Sequence, residues 1–591
     1  MKKHIRLLTL AAISLAGFTY GNQLQASSPD NAIFSHFTYT GQDKVYNDNK
    51  LSANEFYSPI LQGCYPDPSI CRKGNDYYLA CSSFAVYPGV PIFHSTDLVN
   101  WKPIGHVLER PSQLKLQNCK ISEGIYAPTI RYNPYNDTFY MITTHIGGGL
   151  GNIIVKTFDP AKGWSDPIKL NFDGIDPSIF FDDDGKAYIV HNDAPEQALY
   201  EGHRVIKIWE YDVQTDQIIA GTDKVIVNGG VDITKKPIWI EAPHLYKKEG
   251  KYYLMCAEGG TGDNHSEVIF ISDSATGPFV PSKQNPILSQ RHLPANRPDK
   301  VDRAGHADIT DTPSGKWYGV FLAVRPNECN RVNTGRETYI LPVDWSEEFP
   351  VFEGGMQALQ PKLKMPDGVK NQTGTNGFVP NGNFTFTDNL NSLPLDNRWV
   401  GIRDAREKFI SIEENGLQIT PYATDITEAR PTSTLFFRQQ HNCFTASVNL
   451  QYKPTAENEL AGMVCYQKES FNYVFGITRK GNECYLLLQR TNNGKSEIVA
   501  NTPVDMQQPL YLQIQAEGDK YTFNYSTDGH SFKNLGGIVS GDILSTNVAG
   551  GFTGNMIGLY ATSANMAHLN KQVSNYQQNP GSSLIENEPG F

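Results

Sequence analysis

The sequence has no apolar run long enough to cross a membrane, since its one such stretch, Leu7 to Phe18, is too short for a span. Helical periodicity of any length is absent too, which leaves strands to build the core. The nine cysteines are odd in number, include no CxxC pair and no zinc spacing, and several fall inside apolar strands. They read as small buried hydrophobes and not as a disulfide framework. Basic residues are outnumbered, 51 Lys and Arg against 62 Asp and Glu, for a formal charge of -11. Such a body argues against nucleic acid or an anionic membrane as partner. No GxSxG elbow is present. Gly494-Lys495-Ser496 is no phosphate loop, because Gln489 stands where the first glycine is required and the context is a hairpin.

What is present sorts into segments. At 591 residues the chain is too long for one core, so two domains and a presequence are expected. Residues 1–26 read as a secretory signal: Lys2, Lys3 and Arg6 precede the short apolar run, and cleavage is expected before about Ser27. No cysteine follows at the junction, so no membrane anchor of the lipoprotein kind is expected, and the protein is expected to be periplasmic or secreted. Ser27 to Leu51 is polar and is expected to pack loosely. Beyond it, strands with a central tyrosine recur about every 50 to 65 residues, at Tyr78, Tyr140, Tyr188, Tyr253 and Tyr318. Turns of Gly, Asp and Pro ending in an aromatic follow several of them, as in Ser272 to Phe279. Repeated sheets without helices cover their edges by radial packing, which predicts a five-bladed β-propeller over residues 52–355. Met365 to Asn383, rich in Gly, Pro, Asn and Thr, reads as a surface linker. Phe444, Ala446, Val448, Leu450 and Tyr452 then alternate with polar residues, as do Tyr521, Phe523 and Tyr525. That period of two predicts an antiparallel jelly-roll sandwich over residues 383–572, followed by a disordered tail at 573–591. The fold class is all-β.

Three carboxylates stand out. Asp67 lies between two prolines in Gly63-Cys64-Tyr65-Pro66-Asp67-Pro68-Ser69, ahead of a tyrosine strand, where the prolines are expected to hold it extended. Asp176 repeats the pattern in Gly174-Ile175-Asp176-Pro177-Ser178, and Glu241 stands in Ile240-Glu241-Ala242-Pro243-His244. Acids at equivalent points of repeated blades meet at the inner mouth of a propeller. Two carboxylates, one protonated and one ionised, are the minimum equipment for glycosidic bond hydrolysis.

With these residues the chain resembles glycoside hydrolase family 43, the arabinofuranosidase and xylosidase family. The matching stretches are Tyr65-Pro66-Asp67-Pro68-Ser69-Ile70, Ile125-Tyr126-Ala127-Pro128, Ile175-Asp176-Pro177-Ser178, Glu241-Ala242-Pro243-His244-Leu245-Tyr246, Ala257-Glu258-Gly259-Gly260-Thr261, Ala304-Gly305-His306-Ala307 and Gly335-Arg336-Glu337-Thr338. The resemblance implies a five-bladed propeller and an inverting reaction with Asp67 as general base, Glu241 as general acid and Asp176 tuning the acid. It implies Arg336 in the substrate pocket and His306 near the axis, beside water or a calcium ion, with no cofactor required. Phe84 and Tyr87 are expected as aromatic walls, and Phe552, in Gly551-Phe552-Thr553-Gly554-Asn555, as a lid from the sandwich. Tyr126 stands where many relatives have Trp, and Val86 near where the xylosidase branch often has one, which leaves arabinofuranose and xylopyranose both open. The expected activity is exo-hydrolysis of terminal α-L-arabinofuranosyl units, or β-D-xylosyl units, from plant cell-wall polysaccharides or oligosaccharides. Two readings compete with it. A retaining sucrose or fructan hydrolase would surround its first acid with Asn, which Tyr65 to Ser69 does not; a non-catalytic binding propeller would not need all three acids.

Overall fold

The computed structural model describes residues 31–506 and 509–564. The presequence at 1–26 and the tail at 573–591 lie outside these. No helix among the described residues is long and apolar enough to cross a membrane.

Five antiparallel sheets follow one another in sequence, each running outward from an inner strand. The inner strands are Ser69–Lys73, Gly124–Asn133, Ile175–Phe181, Glu241–Lys248 and Asp302–Asp311. Each neighbours the next, and the fifth returns to the first, so the ring closes and only the short outer strands are left as edges. Closure is sewn at both ends of the domain. Leu61 bridges Thr338 in the fifth blade, and Glu55–Tyr57 pairs with Lys362–Lys364. The second strands carry the tyrosines, whose rings pack into the clusters between adjacent sheets, as with the buried Tyr140 and Tyr253.

The ring is held at its axis by one buried ion pair. Arg131 of the second blade grips Asp308 of the fifth through two bonds of 2.7 and 2.8 Å. Asp308 also accepts from Ser69 Oγ at 2.7 Å, from the Ile70 amide at 2.9 Å and from Tyr246 Oη at 2.6 Å. Burial alone would raise the Asp308 carboxyl, but Arg131 and these donors outweigh it and hold it below the usual range. Four blades therefore share one charge.

The second domain is a sandwich of a six-stranded and an eight-stranded sheet. Its eight-stranded sheet overturns the expectation for Ser27 to Leu51. Ala32–Gly41 is a strand in its interior, between Cys443–Gln451 and partners at Gly416–Ile419 and Thr385–Asp388. Its inward residues Phe34, Phe37 and Tyr39 are fully buried in the sandwich core. The polar composition that suggests loose packing is the strand's other face and the turn after it. The linker is likewise fastened: Val379 N–H donates to Trp101 O at 2.8 Å and Gln372 N–H to Asn100 Oδ1 at 2.6 Å, which straps it over the first blade.

The two sheets of the sandwich differ in what they face. Cys443–Gln451 of the larger sheet alternates buried and part-exposed residues, one face toward water. Leu460–Lys468 and Phe471–Lys480 of the smaller sheet are buried on both faces over nearly their whole length. Met463, Cys465, Tyr473 and Phe475 point into the sandwich core. Val464, Tyr466 and Val474 point the other way, into a cluster shared with Val86, Leu108, Leu116 and Ile125 of the first two blades. That face of the smaller sheet is therefore covered by the propeller. All nine cysteines are free, six of them buried.

Phe37 touches Trp399, Phe386 and Phe437, at centroid distances of 4.7, 6.3 and 5.7 Å. Phe37→Ala is expected to cost about 3 to 5 kcal/mol. Denaturant titration checks this, and an unchanged midpoint would remove the segment from the core.

Candidate active site

Every blade carries the same kink on its inner strand, just ahead of the strand in the first blade and within its first five residues in the others. Asp67, Ala127, Asp176, Ala242 and His306 all have positive φ, at 54, 36, 54, 49 and 54°. In the second to fifth blades the pairing slips by one residue at this point, between Tyr126 and Thr129, Ile175 and Ser178, Glu241 and His244, and Gly305 and Asp308. These are β-bulges, and a bulge re-aims side chains where a straight strand would bury them in its own sheet. The expectation that prolines hold Asp67 extended is therefore wrong. The surrounding sheet holds a left-handed conformation that the following proline alone disfavours, a strain of order 1 to 3 kcal/mol.

The kink also corrects the equivalence of the three acids. Asp67 and Asp176 occupy the same position of their blades. In the fourth blade that position belongs to Ala242, and Glu241 precedes it by one residue. The offset has a use, because the Ala242 amide is left to donate to the Asp176 carboxyl.

The three acids line one cavity of about 390 Å³ with Arg336, His306, Phe84, Tyr126, Ala127, Ile175, Trp239, Gly260, Thr261 and Phe552. Asp67 is the ionised member. Arg336 Nη1 donates to its Oδ1 at 2.7 Å, Ser82 Oγ to its Oδ2 at 2.6 Å, and His306 Nδ1 stands 3.5 Å from Oδ1. Burial would raise its carboxyl, but Arg336, His306 and Ser82 outweigh burial and hold it below the usual range. Asp176 is raised to about 7, first by burial and then by the Asp67 charge, against the pull of the Ala242 amide. Glu241 is raised well above the usual range by burial, then by Asp176 and Asp67. Asp67 therefore gives up its proton first while Asp176 and Glu241 hold theirs longer, which places an ionised acid and a protonated one in the same cavity.

Burial lowers the pKa of His306, and the Asp67 charge pulls it back up in part. Beside it the buried Glu267 accepts from the Ala307 amide at 3.0 Å and is itself kept protonated by burial. Among the described residues no three of His, Cys, Asp and Glu come together to hold a metal ion.

The aromatic walls are partly as expected from sequence. Phe84 and Phe552 stack at 6.1 Å, and Tyr126 meets both edge-on at 5.5 and 5.7 Å. The Arg336 guanidinium lies 5.7 and 5.6 Å from the Phe84 and Phe552 rings. Tyr87 is elsewhere: it is buried between the domains, pairs with Gly401 and donates its hydroxyl to Glu109 O. A residue so near Phe84 in sequence does not share its wall, because Val86–Tyr87 forms a short strand that pairs with Gly401–Ile402 of the second domain.

Phe552 reaches the propeller on a loop fastened at several points. Its amide donates to Ser122 Oγ at 3.1 Å, Gln467 Nε2 donates to Thr553 O at 2.7 Å, and the Asn555 amide donates to Asn333 O at 2.8 Å. Gly335, at φ +81°, passes so close that a Cβ there would lie 2.9 Å from Gly554 Cα. The sandwich also steadies the approach to Asp67. Arg438 Nε donates to Cys64 O at 3.0 Å, and its guanidinium lies 4.4 Å from the Tyr65 ring centroid. From the fifth blade, Thr338 Oγ1 donates to Tyr65 O at 2.6 Å.

Sequence reasoning missed Ser82 and Trp239. Ser82 follows a tyrosine strand without any motif of its own, so nothing local marks it. Trp239 stands two residues before Glu241, and that proximity is the available signal.

Residues 56–350 match the family described as glycosyl hydrolases family 43, and residues 387–571 match the beta xylosidase C-terminal concanavalin A-like domain. The chain is 38% identical over 527 residues to a xylosidase/arabinosidase of Butyrivibrio fibrisolvens, covering 86% of this chain and 95% of that one. It is 34% identical to a non-reducing end alpha-L-arabinofuranosidase of Bacteroides ovatus, covering 88% and 94%. Among solved structures it resembles a GH43_12 protein retrieved from a capybara gut metagenome, with 57% identity, a TM-score of 0.87 and coverage of 90% and 99%.

Asp176→Asn removes a like charge from beside Glu241, so the alkaline limb of kcat/KM is expected to move to lower pH. Hydrolysis of substrates with poor leaving groups should fall by roughly 10² to 10⁴. A pH profile checks both, and an unmoved limb would leave Asp176 a role in positioning alone.

Proposed function

The chain belongs to glycosyl hydrolase family 43, and on that premise we propose that it removes terminal α-L-arabinofuranosyl units with inversion, with Asp67 as base and Glu241 as acid. The observation that carries this reading is the pairing of an ionised Asp67 with a protonated Glu241 in one cavity. Water attacks the anomeric carbon as Asp67 takes its proton. The glycosidic bond breaks, Glu241 gives its proton to the leaving oxygen, and solvent exchange restores both acids. Asp176 keeps Glu241 protonated, and Arg336 keeps Asp67 ionised and faces the sugar. Phe84, Tyr126 and Phe552 close one end of the cavity, which suits a chain end and not an internal unit.

The preference for arabinofuranose rests on the Bacteroides ovatus relative. A β-D-xylosyl unit is the second reading, favoured by the match of the sandwich to a beta xylosidase domain. Plant cell-wall polysaccharides and their oligosaccharides carry both units. Lys2, Lys3 and Arg6 ahead of a short apolar run support export to the periplasm or beyond.

Proton NMR of the first-formed sugar tests the mechanism. Inversion of the anomeric configuration is expected, and a retained anomer would make Asp67 a nucleophile instead of a base.

A further inference from the structure

Away from the aromatic trio, the cavity is also lined by Trp239, which is positioned as firmly as the acids. Its amide donates to Gly202 O at 2.9 Å, and the Gly259 amide donates to the neighbouring Ile238 O at 2.9 Å. Its φ is +54°, so it is another residue held against its own preference. Tyr200 Oη donates to Pro237 O at 2.8 Å and ties the same segment to the third blade. One face of the indole is covered by Arg204, whose guanidinium carbon lies 4.1 Å from the ring centroid. The buried Nε of Arg204 has no hydrogen-bond partner among the described residues. Gly260 packs against the ring edge, where a Cβ would lie 3.7 Å from Cδ1, so nothing larger crowds it there. Ile238, next to Trp239 in the chain, is 39% exposed.

Position decides what this wall does. Trp239 is two residues from Glu241, on the fourth blade's approach, whereas Phe84 and Tyr126 belong to the first two blades, near Asp67. The general acid protonates the leaving oxygen, so the departing part of the substrate lies on the acid's side. A flat aromatic face backed by a cation is a platform for the C–H face of a sugar ring.

We propose that Trp239, backed by Arg204, forms the binding platform for the leaving-group sugar, the ring to which the terminal unit is attached. This rests on the hydrolytic reading of the cavity. The site takes a neutral sugar ring of an oligosaccharide and makes the enzyme prefer glycosides of sugars over glycosides of simple alcohols.

The test compares an oligosaccharide carrying the terminal unit with the methyl glycoside of that unit, whose leaving group needs a proton but has no ring. In Trp239→Ala, kcat/KM for the oligosaccharide is expected to fall at least about tenfold more than for the methyl glycoside. Trp239→Phe should recover part of the loss, and Arg204→Met should show a smaller loss of the same selectivity. Thermal melting of each variant separates misfolding from lost binding; if Trp239→Ala is unfolded, the Phe and Met variants decide. Equal losses on both substrates, or none, would overturn the proposal. Failure of the unaltered enzyme to hydrolyse either substrate would overturn the hydrolytic reading instead.

Discussion

A buried carboxylate facing a buried guanidinium sets the protonation of everything else in the cavity. Asp67 is enclosed, and burial by itself would neutralise it. Arg336, His306 and Ser82 reverse that outcome. Once Asp67 is charged, its field falls on Asp176 and Glu241, which lack a comparable partner and hold their protons longer. One ion pair thus divides three similar carboxyls into one that gives up its proton early and two that keep theirs longer.

That ion pair depends on both domains. Asp67 enters from the segment that closes the propeller, and Arg336 lies just ahead of the fifth blade's third strand, Glu337–Asp344. The sandwich grips the first through Arg438 and crowds the second through the Gly554 contact at Gly335. Two strands of its smaller sheet, Leu460–Lys468 and Phe471–Lys480, are buried on both faces, one of them against the propeller, and the loop bearing Phe552 is fastened to both domains. The sandwich is better described as one wall of the site than as an appended module.

Much of this is legible in the sequence. The tyrosine repeats mark the blades because each second strand packs its ring into a cluster between sheets. The alternation at Phe444 to Tyr452 marks the larger sheet because its other face meets water. The smaller sheet has no such alternation, since Val464 and Cys465 are both buried, and period two disappears when both faces are covered. The strand Ala32–Gly41 escapes notice because polar residues on one face hide Phe34, Phe37 and Tyr39 on the other. Prolines mark the acids, but they do not show the one-residue offset of Glu241 or the kinked backbone, because a bulge is a property of pairing and not of local composition. Ser82 meets Asp67 through a contact that leaves no local mark, and Trp239 is signalled only by its nearness to Glu241.

The central claim is the division of charge between Asp67 and Glu241. Difference infrared spectroscopy near neutral pH, comparing the unaltered protein with Glu241→Gln and with Asp67→Asn, reads it directly. The account predicts that Glu241→Gln removes a protonated carboxyl band and Asp67→Asn removes an ionised carboxylate band. Loss of an ionised carboxylate in Glu241→Gln would contradict it.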